Sequence, residues 1–347
     1  FYHIASGILK SELEEQILSD GGHFELSPMY HQIILYRVLD CYNLVKNNSW
    51  QECELLSILK EKAGLMLGWL EQVTFSNGDI PLVNDAIVGI APTSKQLCNY
   101  AGRLNLKSKK TKLKECGYRK ICSSNYELFC DVGKVGPDYI PGHAHADTLS
   151  FLLYVTGKPL IVDPGISTYE KNDCRQKERS TESHNTIVIN DTNSSDVWGG
   201  FRVANRAKIV DIEEGEGFIR ATHEGYKKIG ALHKRIFEYN ESGLEIYDEI
   251  SSKNSIKCKA FFHFAPGVEP EIDDGVISLP KAIMSFVGSE KIELFDYDFS
   301  DGFNKLTPAK AVRVYFNKEL KSTVLIAYGT DGKTRKTDKK YIKSFAQ

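Results

Sequence analysis

Between Pro141 and Gly165 the chain reads PGHAHADTLSFLLYVTGKPLIVDPG, with His143, His145 and Asp147 at every second position. These side chains can carry protons or bind metal, and in an extended backbone alternate residues share a face. The spacing therefore predicts a strand that aims two imidazoles and a carboxylate the same way. The apolar run Leu149–Val155 anchors it, Gly157-Lys158-Pro159 turns it, and Leu160-Ile161-Val162 returns to Asp163 and a Pro-Gly stop. Further on, Ser183-His184-Asn185-Thr186 leads into a second β-type run, Ile187-Val188-Ile189. His145, Asp163 and His184 are thus nitrogen and oxygen donors of the kind a divalent metal, zinc above all, accepts. A hydrogen-bonded His–Asp–His cluster in the core gives the same pattern. A bound metal is expected to be structural, fixing the neighbouring loops, with Asp147 orienting a histidine rather than ligating.

The elements that must position these residues change character along the chain. At 347 residues there is room for two domains, and 41% hydrophobic with 26% charged residues is an ordinary globular balance. A net charge of −2 gives no bias toward nucleic acid, and no apolar run is long enough to span a membrane. Eight cysteines are scattered without a C-x-x-C pair, which argues against a thiolate zinc site. Residues 1–106 read as amphipathic helices joined by Gly- or Asn-bearing loops: one ending at Asp20-Gly21-Gly22, one opened by Ser27-Pro28, one from about Gln51 to Phe75, and a short one around Ser94–Leu104. Residues 107–124 are strongly basic and read as a linker. From 125 to 347 short β-type runs alternate with Gly, Asn, Asp and Ser turns, without intervening helices. The expected fold is therefore multidomain, α then β, ending in a large antiparallel β-sandwich.

Three stretches together resemble the heparinase II/III family of polysaccharide lyases and its alginate-lyase relatives. They are Asp20-Gly21-Gly22-His23-Phe24-Glu25-Leu26-Ser27-Pro28-Met29-Tyr30-His31, the Gly142–Asp147 motif with Val162-Asp163-Pro164-Gly165, and Arg179-Ser180-Thr181-Glu182-Ser183-His184-Asn185-Thr186. His223-Glu224-Gly225-Tyr226 and Phe262-His263-Phe264 are weaker echoes. The resemblance implies a partial α/α toroid before the sandwich and β-elimination on an acidic, uronic-acid polysaccharide. By matching position, Tyr30 would be the acid/base tyrosine, His143 the sandwich histidine facing the cleft, and Tyr169 a second substrate-contacting tyrosine. His145, Asp163 and His184 would hold the metal. The family also carries an Asn well upstream of the Tyr-His motif that neutralises the substrate carboxylate. Tyr30 lies too near the start of this chain for that segment, so the expectation is either a portion of a longer lyase or a catalytically silent acidic-glycan-binding module. The resemblance also implies a periplasmic or secreted bacterial protein, with the cytoplasm left open. A zinc metallohydrolase is the remote alternative, since H-x-H-x-D opens the metallo-β-lactamase pattern, but Thr148 stands where that pattern needs histidine.

Elimination removes the C5 proton of a uronate and expels the C4 oxygen. A tyrosine of ordinary pKa, about 10, is a poor base unless nearby positive groups depress it, and His143 is one candidate for that role. The acid and base steps can fall to Tyr30 alone or be shared with His143. The substrate-binding candidates are Arg179, for a carboxylate or sulfate, His31, which fits a structural role as well, and Asn84, which with Asp85 would line the cleft. Arg202 and Arg206 are expected on the solvated surface and His23 and His263 in structural roles, while His3, His223 and His233 show no constellation.

Overall fold

The computed structural model describes residues 1–48 and 53–326. Helices come first: α1 (Tyr2–Gln16), α2 (Pro28–Lys46), α3 (Cys53–Val73) and α4 (Ser94–Arg103). The expected start of the third helix near Gln51 lies outside the described residues. Ser27, in an extended conformation, caps α2 by accepting the Tyr30 amide at 3.4 Å, with Pro28 at the first helical position. That cap fixes the turn from which the Tyr30 phenol projects. A capping box between Thr93 and Gln96 opens α4 in the same way. α3 touches α1, α2 and α4, which is why Ala63, Met66, Trp69, Leu70 and Val73 are all fully buried.

The junction after α1 is set by the Asp20-Gly21-Gly22 turn. The buried Asp20 carboxylate accepts the amides of Lys114 at 3.0 Å, Cys116 at 2.8 Å and Gly22 at 3.1 Å. Gly21 has φ +91°, and a Cβ there would lie 2.2 Å from the Leu65 carbonyl oxygen, so only glycine fits. The segment expected as a linker is not a free tether. Its Lys109 amide donates to the Gly64 carbonyl on α3 at 2.8 Å, and its end, Tyr118–Cys122, is a β-strand.

That strand begins a four-stranded antiparallel sheet, followed in order by Tyr126–Asp131, Phe151–Val155 and Lys158–Ile161. It is the middle layer of the molecule. Leu128, Cys130, Phe151 and Leu153 pack on the large sheet, while Phe129, Leu152, Tyr154 and Tyr118 pack on the helices. Burial of both faces explains why the run at 149–155 is continuously apolar rather than alternating. The large sheet is antiparallel, in the order Glu271–Asp273, Val276–Leu279, Ala282–Gly302, Lys305–Ile326, Gly243–Ser252, Ala231–Asn240, Phe218–His223, Ile209–Gly215. Cys258–His263 also pairs with Lys305–Ile326 and with Ile187–Ile189. The expected order, helices and then a large antiparallel β-sandwich, is the one found; residues 327–347 of the expected β domain lie outside the described residues.

The long hairpin Ala282–Gly302/Lys305–Ile326 returns to the helices at its tip. Ser300 donates to the Pro164 carbonyl and Asn304 to the Ser167 carbonyl, each at 2.8 Å, and Phe303 packs into the helical core. Asp20→Ala strips three amides, two of them buried, of their acceptor while leaving the turn's glycines in place. It should lower unfolding stability by about 3 kcal/mol; an unchanged midpoint in urea would show that these bonds do not hold the layers together.

Candidate active site

The backbone from Ile140 to Ser150 is a series of turns rather than the expected strand. Gly142 donates to the Ile140 carbonyl, Ala144 to Pro141 and Ser150 to Asp147, and Ile140 and Leu149 have φ of 49° and 64°. The strand starts only at Phe151. The alternation nevertheless does what it was expected to do for two of the three residues: His143 and His145 reach a common partner.

That partner is the Asp85 carboxylate, fully buried beneath the helical layer. His143 Nδ1 lies 2.8 Å from Asp85 Oδ2 and His145 Nε2 lies 2.8 Å from Oδ1. The Arg175 guanidinium closes the arrangement as a fork, donating to both carboxylate oxygens, with Nη2 at 2.7 Å from Oδ2. Burial alone would raise the Asp85 pKa, but the bonds from His143, His145 and Arg175 outweigh it and hold the carboxyl well below the usual range. Being ionised, Asp85 only accepts, so both histidines donate to it. In its neutral form His143 therefore carries its lone pair on Nε2, and His145 carries its own on Nδ1.

Tyr30 stacks on the His143 ring, centroids 4.1 Å apart and planes inclined by 29°. Its hydroxyl lies 3.1 Å from that of Tyr169, whose ring has the Arg175 guanidinium 5.0 Å from its centre. Tyr30, His143 and Tyr169 are thus gathered at one place, from the first turn of α2, the 140–150 turns and the segment after Asp163. The phenol pKa of Tyr30 is raised by burial and by the Asp85 charge, despite the Tyr169 bond and Arg175. This reverses the expected depression: in the free site both phenols are protonated, Tyr169 being raised as well, chiefly by burial.

The substrate-binding candidates are placed elsewhere. Arg179 is buried and donates to the carbonyls of Ala144, Gly200 and Arg202, with burial lowering its pKa to about 10. It pins loops together and does not face a cleft. His31 is fully buried, bonded to the Met66 carbonyl and packed on Trp69, and burial lowers its pKa to about 3. Asn84, at φ 54°, directs its amide to the Leu26 carbonyl and the Tyr118 hydroxyl and accepts the His145 amide. It orients the Asp85 loop rather than lining the surface. Arg206, expected on the surface, is tied to the carbonyls of Val135, Pro137 and Asp138. Arg175 lies on a six-residue helix, Asp173–Glu178 (α5), capped by Asn172, in a stretch where no helix is expected from the sequence. Its only signal is a spacing of one helical turn from Arg179. His223 and His233 also prove to be partnered, in a buried relay: His223 Nε2 to His233 Nδ1 at 3.0 Å, then His233 Nε2 to Asp248 at 2.7 Å.

For a metal, the donor chemistry fits, in a different division of roles from the expected one. His184 Nδ1 is 2.7 Å from Asp163 Oδ2, and Asp163 Oδ1 accepts the Gly165 amide, so Asp163 orients His184 instead of standing free as a ligand. His145 Nδ1 and His184 Nε2 are buried without a hydrogen-bond partner among the described residues, on rings 5.3 Å apart. Each of these imidazoles thus has one nitrogen held by a carboxylate and the other open, the arrangement of a metal-binding histidine. Among the described residues no three His, Cys, Asp or Glu side chains converge as a ligand set.

Residues 1–114 match the family model described as heparinase II/III N-terminus, and residues 106–338 the one described as heparinase II/III-like, C-terminal. A curated heparin-sulfate lyase of Bacteroides stercoris is 25% identical over 280 residues, 72% of this chain and 40% of that protein. Among solved structures, heparan sulfate lyase HepC from Pedobacter heparinus superposes with a TM-score of 0.72 at 17% identity, covering 94% of this chain and 56% of that one. A heparinase III structure does so at 0.71 and 18%, covering 95% and 58%. The resemblance carried by the three motifs is borne out, and this chain spans well under two thirds of each of these relatives.

The Asp85 hub sets a pH-dependent stability. Its folded pKa lies below the unfolded value of about 4, so its contribution is full above that pH and is lost as pH falls below it. Asp85→Asn should therefore cost about 3 kcal/mol at pH 7, with the gap to the parent closing below about pH 4. Equal urea midpoints at pH 7 would contradict this.

Proposed function

We propose that this chain, which belongs to the heparinase II/III-like family, supplies the acid–base residues of a polysaccharide lyase acting on a uronic-acid-containing glycosaminoglycan. The observation that carries the reading is the Tyr30–His143 stack, held between the Tyr169 hydroxyl and the Asp85 carboxylate. The roles follow from protonation. With its Nδ1–H given to Asp85, neutral His143 has an Nε2 lone pair to take the C5 proton. Tyr30, protonated and with its pKa raised, is the donor to the departing C4 oxygen. As the C5–H bond breaks, its electron pair forms the C4–C5 double bond, and the C4–O pair leaves with the Tyr30 proton. Tyr169, bonded to the Tyr30 hydroxyl, orients that proton. The names of the relatives favour a heparan-type substrate.

In the same reading His145 and His184 hold a structural divalent metal, zinc by donor type, with Asp85 and Asp163 orienting the two rings. Such an ion would fix the loop that carries His143.

Incubation with heparan sulfate should raise the ultraviolet absorbance of a C4–C5 unsaturated uronate, and Tyr30→Phe should cut that rate by about a hundredfold or more. A flat trace with glycan binding retained would instead establish a silent binding module. Elemental analysis should find the metal in the purified protein, and a chelator should lower its melting temperature. Metal-free protein with an unmoved transition would remove the ion from the reading.

A further inference from the structure

A short β-hairpin, Asp196–Trp198 paired with Arg202–Ala204, carries at its tip Trp198-Gly199-Gly200-Phe201. Gly199 and Gly200, at φ 59° and 83°, make the turn. Two buried guanidiniums hold it: Arg175 Nε donates to the Gly200 carbonyl at 3.1 Å and Arg179 Nη1 at 2.9 Å. The tip rests on both loops of the site. A Cβ on Gly142, next to His143, would be 3.6 Å from Phe201 Cβ, and one on Gly200 would be 3.7 Å from the Tyr169 carbonyl oxygen. The hairpin is thus rigid and set against the residues assigned to the chemistry.

Its aromatic side chains lie outside the buried cores. Phe201 is 40% exposed and Trp198 42% exposed, and neither belongs to a buried apolar cluster. Phe201 sets its ring edge-to-face with His143 at 5.9 Å and lies 5.2 Å from the Tyr169 ring, with the Arg175 guanidinium 5.4 Å from its centre. Arg202, cross-strand from Trp198, and Lys171, beside Gly200, are exposed and have no ion-pair partner among the described residues. A rigid, half-exposed aromatic ring flanked by free cations suits a ligand with an apolar ring face and anionic substituents.

We propose that this hairpin tip is the sugar platform of the site: Phe201 stacks on the pyranose unit held against His143, Trp198 on a neighbouring unit, and Arg202 and Lys171 meet its sulfate or carboxylate groups. The proposal rests on the glycosaminoglycan reading above and assigns the residues that hold the chain in register. It is tested by calorimetric binding of heparan sulfate oligosaccharides to the full chain carrying Tyr30→Phe, so that the ligand is not consumed. Added to that background, Phe201→Ala should weaken binding about tenfold. Phe201→Leu, which keeps bulk but removes the aromatic face, should do the same, and Phe201→Tyr should stay within about twofold. Trp198→Ala should weaken longer oligosaccharides more than a disaccharide. If the background protein binds and the Phe201 variants, still folded by melting temperature, bind equally well, the platform is overturned while the lyase reading stands. If the Tyr30→Phe protein and the parent chain both bind no uronate oligosaccharide, both readings fall.

Discussion

Taking a carboxylate out of water costs several kcal/mol, and at Asp85 that cost is offset only while His143, His145 and Arg175 all remain in place. The donors come from two separate parts of the chain, so one buried charge holds together the turns at 140–150, α5 and the helical layer. The loop beneath is equally constrained. Asp85 accepts through its carbonyl from Ser27, the cap of the helix bearing Tyr30, and donates its amide to the His143 carbonyl. Position and protonation are therefore set by the same contacts: the bonds that place the imidazole also decide which of its nitrogens keeps a lone pair.

Around this hub the layers act as a frame. The middle sheet is buried on both faces, so the strands Tyr126–Asp131 and Phe151–Val155 have no freedom to shift without opening two cores at once. The site sits at the end of that sheet, where the chain leaves regular structure and its backbone is satisfied by turns and by arginine side chains. The long hairpin closes the frame from the far side: Phe303 at its tip packs edge-to-face on Tyr169 with centroids 5.1 Å apart. Tyr169 is thus backed by an element more than a hundred residues later in the chain, which no local pattern announces.

Arg235 shows the same device inside the sandwich. Fully buried, it forks onto Asp248 and donates to the carbonyls of Leu149 and Asn185, at the starts of the strands next to the His145 and His184 segments. Asp248 in turn anchors the His223–His233 relay. Buried arginines and carboxylates recur wherever irregular backbone must be held without water, because each guanidinium can serve several carbonyls at once.

The helix-then-strand order and the cap at Ser27 were legible from local periodicity and cap chemistry, and the grouping of Tyr30 with His143 only through the family resemblance that three ordered motifs carry. The alternation of His143 and His145 was legible too, although it is carried by turns rather than a strand. The sequence by itself thus determined which residue types are present and how each local segment is disposed to fold. Only the tertiary structure decided that Asp85 and Arg175 form the hub, that Arg179, His31 and Asn84 turn inward, and that Asp163 serves His184. Those roles depend on which buried donor meets which buried acceptor across 21 to 90 residues of chain. Burial then keeps Tyr30 protonated, while the converging donors keep Asp85 ionised against its burial, and both depend on the packed layers, which no short stretch of sequence contains.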